Sequence, residues 1–228
     1  MLLKYIKHGW YIFALWACRM FCVVFFRMHL HGQENVPKKG AFLLVSSHQS
    51  NLDPVFCGAP IRRQLAYAAR ESLFKHWGFR MIISSVGSIP IKRDTADMKA
   101  IRKLIGVLKE GYGLCLFPEG TRTSDGKINS LQPGVSFLSR KTNAPIIPVV
   151  IDGAFQAWPR HKQLFTPWMH IWVWYGKRIE PEFAASMSDK DFAEYLTGVM
   201  RKMLNDCREK FGKSPYEYEQ DASRGKKR

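Results

Sequence analysis

From Val36 onward the chain alternates short apolar runs with longer amphipathic stretches, which restricts it to an α/β layer architecture rather than a helix bundle or a sandwich. Residues 41–46, 65–69, 113–117, 146–151 and 170–175 read as strands, being brief, largely apolar and bounded by turn formers. Helices are expected between them. The clearest covers 96–110, with Met98, Ile101, Leu104, Ile105 and Leu108 at helical spacing, Asp94 or Thr95 as its N-cap and Gly111 as its stop. Another begins near Ser188 and puts Phe192, Leu196, Val199 and Met203 on one stripe. Both stripes are expected to face the core. With 228 residues, 46% of them hydrophobic and 24% charged, the chain suffices for one globular unit plus an appendage.

The appendage is the N-terminus. Residues 1–33 carry Lys4, Lys7, Arg19 and Arg27 but no acid, around an aromatic-rich run from Trp10 to Phe26. That composition predicts a membrane-seeking segment. As a helix the run would reach only ~25 Å, short of the ~30 Å hydrocarbon layer, and Arg19 would sit near mid-span. A monotopic helix lying in one leaflet is therefore the first reading, and a tilted single span the second. A secretory signal fits less well, because no small-residue cleavage site follows Phe26. The expected organisation is a membrane-associating segment at 1–33, an α/β domain at 34–212 and a charged, disordered tail at 213–228.

Lys and Arg number 35 against 19 Asp and Glu, a net charge of +16, so anionic partners are expected: phospholipid surfaces, phosphorylated substrates or nucleic acid. The absence of a clustered nucleic-acid motif argues against the last. Five dispersed cysteines without paired spacings indicate neither a disulfide framework nor a zinc site, and no metal is expected.

The chemistry gathers where strands end. Ser47 to Pro54 follows the strand at 41–46, in the loop position where α/β folds place ligands. Asp53 before Pro54 reads as the N-cap of a new helix, and its carboxylate can fold back onto His48. Such a carboxylate fixes one imidazole nitrogen and leaves the other to take a proton from a hydroxyl. Taken alone, the pair reads equally as an ordinary cap beside a loop histidine. The second segment, Phe117-Pro118-Glu119-Gly120-Thr121-Arg122, follows the strand at 113–117. Gly120 permits close backbone approach, Arg122 can grip a phosphate, and Glu119 can orient Arg122 or bind a substrate hydroxyl.

Together these residues resemble the glycerolipid acyltransferase family that includes 1-acylglycerol-3-phosphate acyltransferases. The family's histidine followed five positions later by aspartate matches His48 and Asp53, and its phosphate-binding motif matches Phe117 to Arg122. A third block looks like Gly87 to Arg93, with Pro90 in place of an aromatic, and a fourth like Ile147-Pro148-Val149-Val150. The resemblance covers roughly residues 34–155. It implies a mixed β-sheet flanked by helices, with an N-terminal hydrophobic helical membrane anchor. It also implies transfer of a fatty acyl group, without metal or cofactor, from an acyl thioester (acyl-CoA or acyl carrier protein) to the free hydroxyl of 1-acylglycerol 3-phosphate. His48 and Asp53 are then the catalytic dyad, with Arg93, Glu119, Gly120, Thr121 and Arg122 binding substrate. The enzyme is expected on a phospholipid membrane with its site on the cytoplasmic face. Another lysolipid or glycerol 3-phosphate is the alternative acceptor. A hydrolase and a non-enzymatic basic membrane-binding protein are the rival classes; no Gly-x-Ser-x-Gly elbow supports a serine hydrolase.

Overall fold

The structure is a computed structural model that describes residues 8–91 and 97–218. In chain order its elements are α1 (His8–Phe25), β1 (Phe26–His31), β2 (Phe42–Ser46), α2 (Asp53–Gly58), β3 (Leu65–Arg70), α3 (Trp77–Ser85), β4 (Ser88–Ile91), α4 (Met98–Lys109), β5 (Gly113–Leu116), α5 (Val135–Thr142), β6 (Ile146–Asp152), α6 (Ala154–Ala157), β7 (Met169–Tyr175), α7 (Pro181–Ala185) and α8 (Asp189–Lys210). A 3-10 turn, Glu71–Phe74, joins β3 to α3.

Among the described residues seven strands form one sheet in the order β1-β7-β6-β2-β5-β3-β4. The five from β6 to β4 run parallel, β7 is antiparallel to β6, and β1 is parallel to β7, so the sheet is mixed as expected. Every residue of β2, β5 and β6 is buried, because helices cover both faces of a parallel sheet. Successive side chains alternate between the two layers. Leu43 and Val45 join Leu104 and Leu108 of α4, Leu138 of α5 and Leu196, Met200 and Leu204 of α8 on one face. Phe42 and Leu44 join Cys22 of α1, Phe56 and Cys57 of α2 and Ala154 of α6 on the other.

All five expected strands are present. Two more were not read from the sequence. β4 is a four-residue strand containing Pro90, tolerated because β4 is the outermost strand. β1 lies inside the stretch expected to form the membrane segment, and its alternate residues Arg27, His29 and His31 are exposed on an edge strand, which masks its period. The α/β unit therefore begins before residue 34. The cap of α4 is Asp97, whose side chain accepts from Ala100 N at 3.0 Å; the expected caps Asp94 and Thr95 lie outside the described residues. Ser188 caps α8 as its position suggests, accepting from Asp191 N. The tail expected to be solvated from 213 is docked through Tyr218. Lys213 pairs with the buried Asp152, Tyr216 N donates to Asn205, and Arg201 and Arg208 lie over the Tyr218 and Tyr216 rings. Residues 219–228 lie outside the described residues.

No described helix is long and apolar enough to cross a membrane, so the single-span reading has no support. α1 instead crosses the second face of the sheet. Tyr11 and Cys22 are buried, and the Tyr11 hydroxyl accepts from Leu65 N at 3.0 Å. Arg19, expected near the middle of a span, turns into the protein. Its Nε donates to Ala59 O at 2.7 Å and a terminal nitrogen to Ile61 O at 3.0 Å, which satisfies carbonyls just past the C-terminal end of α2. Arg19→Met keeps the apolar stem but strips both carbonyls of their donor. It should lower unfolding free energy by about 1–3 kcal/mol, measured by urea denaturation.

Candidate active site

The loop after β2 is organised by one carboxylate. Asp53 is fully buried, and its Oδ2 accepts from Gln49 N at 2.6 Å, Ser50 N at 2.7 Å and His48 Nδ1 at 2.9 Å. Because a carboxylate only accepts, the imidazole donates from Nδ1. Asp53 is the first residue of α2 and Leu52 its N-cap, one position from the sequence expectation. The carboxylate still folds back as expected, since the tight loop aims two successive N–H groups at it. Oδ1 of Asp53 has no hydrogen-bond partner among the described residues. The His48 ring packs on Phe117 at 4.4 Å between centroids and is 16% exposed, so Nε2 is the nitrogen left to face a substrate.

The loop after β5 is zipped onto this one. His48 N donates to Glu119 Oε1 at 2.7 Å, and Thr123 N donates to His48 O at 2.8 Å. The other Glu119 oxygen accepts from Asn129 N at 2.9 Å and Asn129 Nδ2 at 3.0 Å. Both oxygens are thus engaged in bracing the two loops. The sequence reading gave Glu119 to Arg122 or to a substrate hydroxyl; the geometry places one of its oxygens on the backbone N–H of His48. Gly120 supplies the left-handed turn (φ +71°) that lets the chain reverse after Glu119. Arg122 donates to Asn51 Oδ1, so the cation of the second motif is tied to the loop of the first. Thr121 is exposed beside it. Arg93 lies outside the described residues.

Three polar residues of the site were not singled out from the sequence. Asn51 sits between His48 and Asp53 and holds Arg122. Asn129 anchors Glu119. Gln49 is buried, donating to Gly126 O at 2.7 Å and accepting from Phe155 N at 3.3 Å. Asn51 and Gln49 were discoverable as polar residues inside the histidine motif, whereas Asn129 carries no local signal. The aromatic residues of β7 divide between the two sides of the strand. Tyr175 is buried and donates to Cys57 O at 2.9 Å, while Trp172 stacks beside His29 and His170 on the opposite side of the strand. Arg63 donates to the carbonyls of Pro37, Gly40 and Gly111.

Burial pushes the Glu119 carboxyl up to about 7 from an ordinary 4.5, with the nearby Asp53 charge adding to the rise and the N–H groups of Asn129 and His48 opposing it. Since the folded value lies above the unfolded one, the folded chain holds the extra proton between them. The contribution of this group to stability therefore falls as pH rises from 4.5 to about 7 and is lowest above that window. Glu119→Gln should remove that slope from the pH dependence of the melting temperature. Its amide NH2 would face N–H donors, so it should also destabilise the chain by about 1–3 kcal/mol.

The acyltransferase family profile matches residues 27–152, more than half of the chain. The chain is 26% identical over 156 residues to a chloroplastic 1-acyl-sn-glycerol-3-phosphate acyltransferase of Arabidopsis thaliana, covering 67% of this chain and 43% of that protein. It is 28% identical over 163 residues to a 1-acyl-sn-glycerol-3-phosphate acyltransferase of Pseudomonas aeruginosa, covering 69% of this chain and 60% of that one. The chain thus spans about half the length of these relatives. The crystal structure of the 1-acyl-sn-glycerophosphate acyltransferase PlsC from Thermotoga maritima superposes with a TM-score of 0.69 at 26% identity, over 82% of this chain and 75% of that one. With the profile spanning β1 through β6, and with it both strand-exit loops of the site, the chain belongs to the acyltransferase family.

Proposed function

We propose that this chain acylates 1-acylglycerol 3-phosphate to phosphatidate, using a thioester of coenzyme A or of an acyl carrier protein and the His48–Asp53 pair as general base. The observation that carries the reading is the fixed imidazole: Nδ1 is held by a buried carboxylate at 2.9 Å, and Nε2 faces the open side of the site. Nε2 takes the proton of the acceptor hydroxyl as its oxygen bonds to the thioester carbonyl carbon. The C–S bond then breaks, and the leaving thiolate takes that proton from the imidazolium. Asp53 steadies the imidazolium in between without itself being protonated. Arg122 beside Thr121, with Arg93, binds the acceptor phosphate. The step balances without metal or redox cofactor.

The names of the relatives and the PlsC fold support this acceptor over another lysolipid or glycerol 3-phosphate. A membrane-resident acceptor also accounts for α1. Its outer face exposes Trp10, Phe13, Trp16, Met20, Val23 and Val24, while its inner face is docked on the sheet. That arrangement suits a helix lying in one leaflet, with the site on the cytoplasmic face where thioester donors are made.

The deciding experiment incubates purified chain with lysophosphatidate, other lysolipids or glycerol 3-phosphate and oleoyl-CoA, and identifies products by mass spectrometry. His48→Ala should lower kcat by at least ~10² with the fold intact; near-wild-type turnover would sink the mechanism. Asp53→Asn keeps an acceptor for Gln49 N and Ser50 N but loses the charge, so kcat should fall by ~10²–10⁴ while the loop persists. Arg122→Ala should raise KM for lysophosphatidate far more than for the thioester. Equal effects on both would assign Arg122 to structure.

A further inference from the structure

A second helix carries apolar residues with no cover. Trp77, Met81 and Ile82 of α3 are 78%, 57% and 63% exposed, and Leu73 of the preceding 3-10 turn is 41% exposed. α3 packs chiefly against that turn and the edge strand β4. Trp77 and Met81, four residues apart within α3, lie along one side of that helix, and Leu73 precedes them in the 3-10 turn. The cations around them, Arg70, Lys75 and Arg80, are all exposed, and Glu71 is the one acid between Arg70 and Ser85. An apolar ridge ringed by cations matches the boundary between acyl chains and anionic headgroups.

Topology places this ridge on the side of the sheet that α1 covers. The crossover from β3 to β4 and the crossover from β4 to β5 run in opposite directions along the sheet. Parallel crossovers are right-handed, so their helices must lie on opposite faces. α4, in the second crossover, packs with Leu104 and Leu108 in the layer of α5 and α8. α3 therefore lies on the other face, with α1 and α2. It also starts from the C-terminal end of β3, the end at which the parallel strands β2 and β5 release the His48 and Glu119 loops. Two uncovered apolar helices on one face of the sheet suit an extended flat surface better than a compact protein partner.

We infer that α3 and its 3-10 turn form a second lipid-seating element, which with α1 sets the protein on an anionic phospholipid surface at two separated points. The inference rests on the membrane-resident acceptor proposed above and adds where the membrane touches. One point of attachment leaves the protein free to pivot. Two fix the tilt of the sheet, and with it the height of His48 above the acceptor hydroxyl.

The test is co-sedimentation of the full chain with phosphatidylcholine/phosphatidylglycerol vesicles, alongside turnover on a short-chain lysophosphatidate dispersed as monomers. W77S/M81S should weaken vesicle partitioning roughly tenfold, while the apolar pair W77F/M81L stays near wild type. W77S/M81S turnover on the dispersed acceptor should remain that of the wild type. Unchanged partitioning of W77S/M81S overturns the inference. So does an equal loss on the dispersed acceptor, which would make Trp77 and Met81 supports of the fold. A chain that dimerises through this ridge, losing the dimer but no vesicle binding in W77S/M81S, would assign it to a second copy and overturn the lipid assignment. If the chain proves inactive on every acceptor yet W77S/M81S still releases it from vesicles, the lipid contact stands and the acyl-transfer reading falls.

Discussion

A single carboxylate oxygen organises the loop that carries His48. Oδ2 of Asp53 collects two backbone N–H groups and an imidazole N–H inside a fully buried turn, where an unmatched charge would be strongly unfavourable. The rest of the structure keeps that oxygen in place. α2, which begins at Asp53, is only six residues long and has little intrinsic stability. It is held from behind by the Tyr175 hydroxyl on Cys57 O and by Arg19 on the carbonyls just beyond its end. The Arg19 contacts that tie α1 to the segment after α2 therefore also help to fix where the histidine points.

The second loop adds a brace rather than a second reagent. Glu119 reaches across to His48 N with one oxygen and to Asn129 with the other, and Thr123 N returns a hydrogen bond to His48 O. The backbone of the histidine is thereby clamped on both sides while its side chain is clamped by Asp53. The general base proposed for this site would have to hold its geometry to a fraction of an ångström, and the main chain and ring of His48 are fixed by different partners.

His48 and Asp53 were legible in the sequence because their pairing is local: five residues apart, after an apolar strand, with Pro54 starting a helix. The parallel core was legible for a similar reason, since fully buried strands are unbroken apolar runs. What stayed hidden depends on distant partners or on edges. Asn129 meets Glu119 only because the loop after β5 doubles back. β1 was concealed because an edge strand at the rim buries few of its residues, and its cations and histidines then read as flanks of a membrane segment. Composition at the N-terminus signalled apolar character on all sides of α1, but not that one side is met by the protein's own sheet.

Charge divides between the surface and the site. A net +16 gives the chain a field that attracts polyanions. The loops around His48 instead bury two carboxylates, Asp53 and Glu119, and burial, with a smaller contribution from the Asp53 charge, pushes the Glu119 carboxyl up to about 7. The surface cations and the buried anions answer different needs. Substrate capture requires long-range attraction for negative ligands. In the proposed reaction the positive charge arising on His48 would have to meet an anion already in position, and Asp53 lies directly on the Nδ1 hydrogen bond. Arg122, tied through Asn51 to the same loop, stands where the two regimes meet, placed for the phosphate contact proposed above.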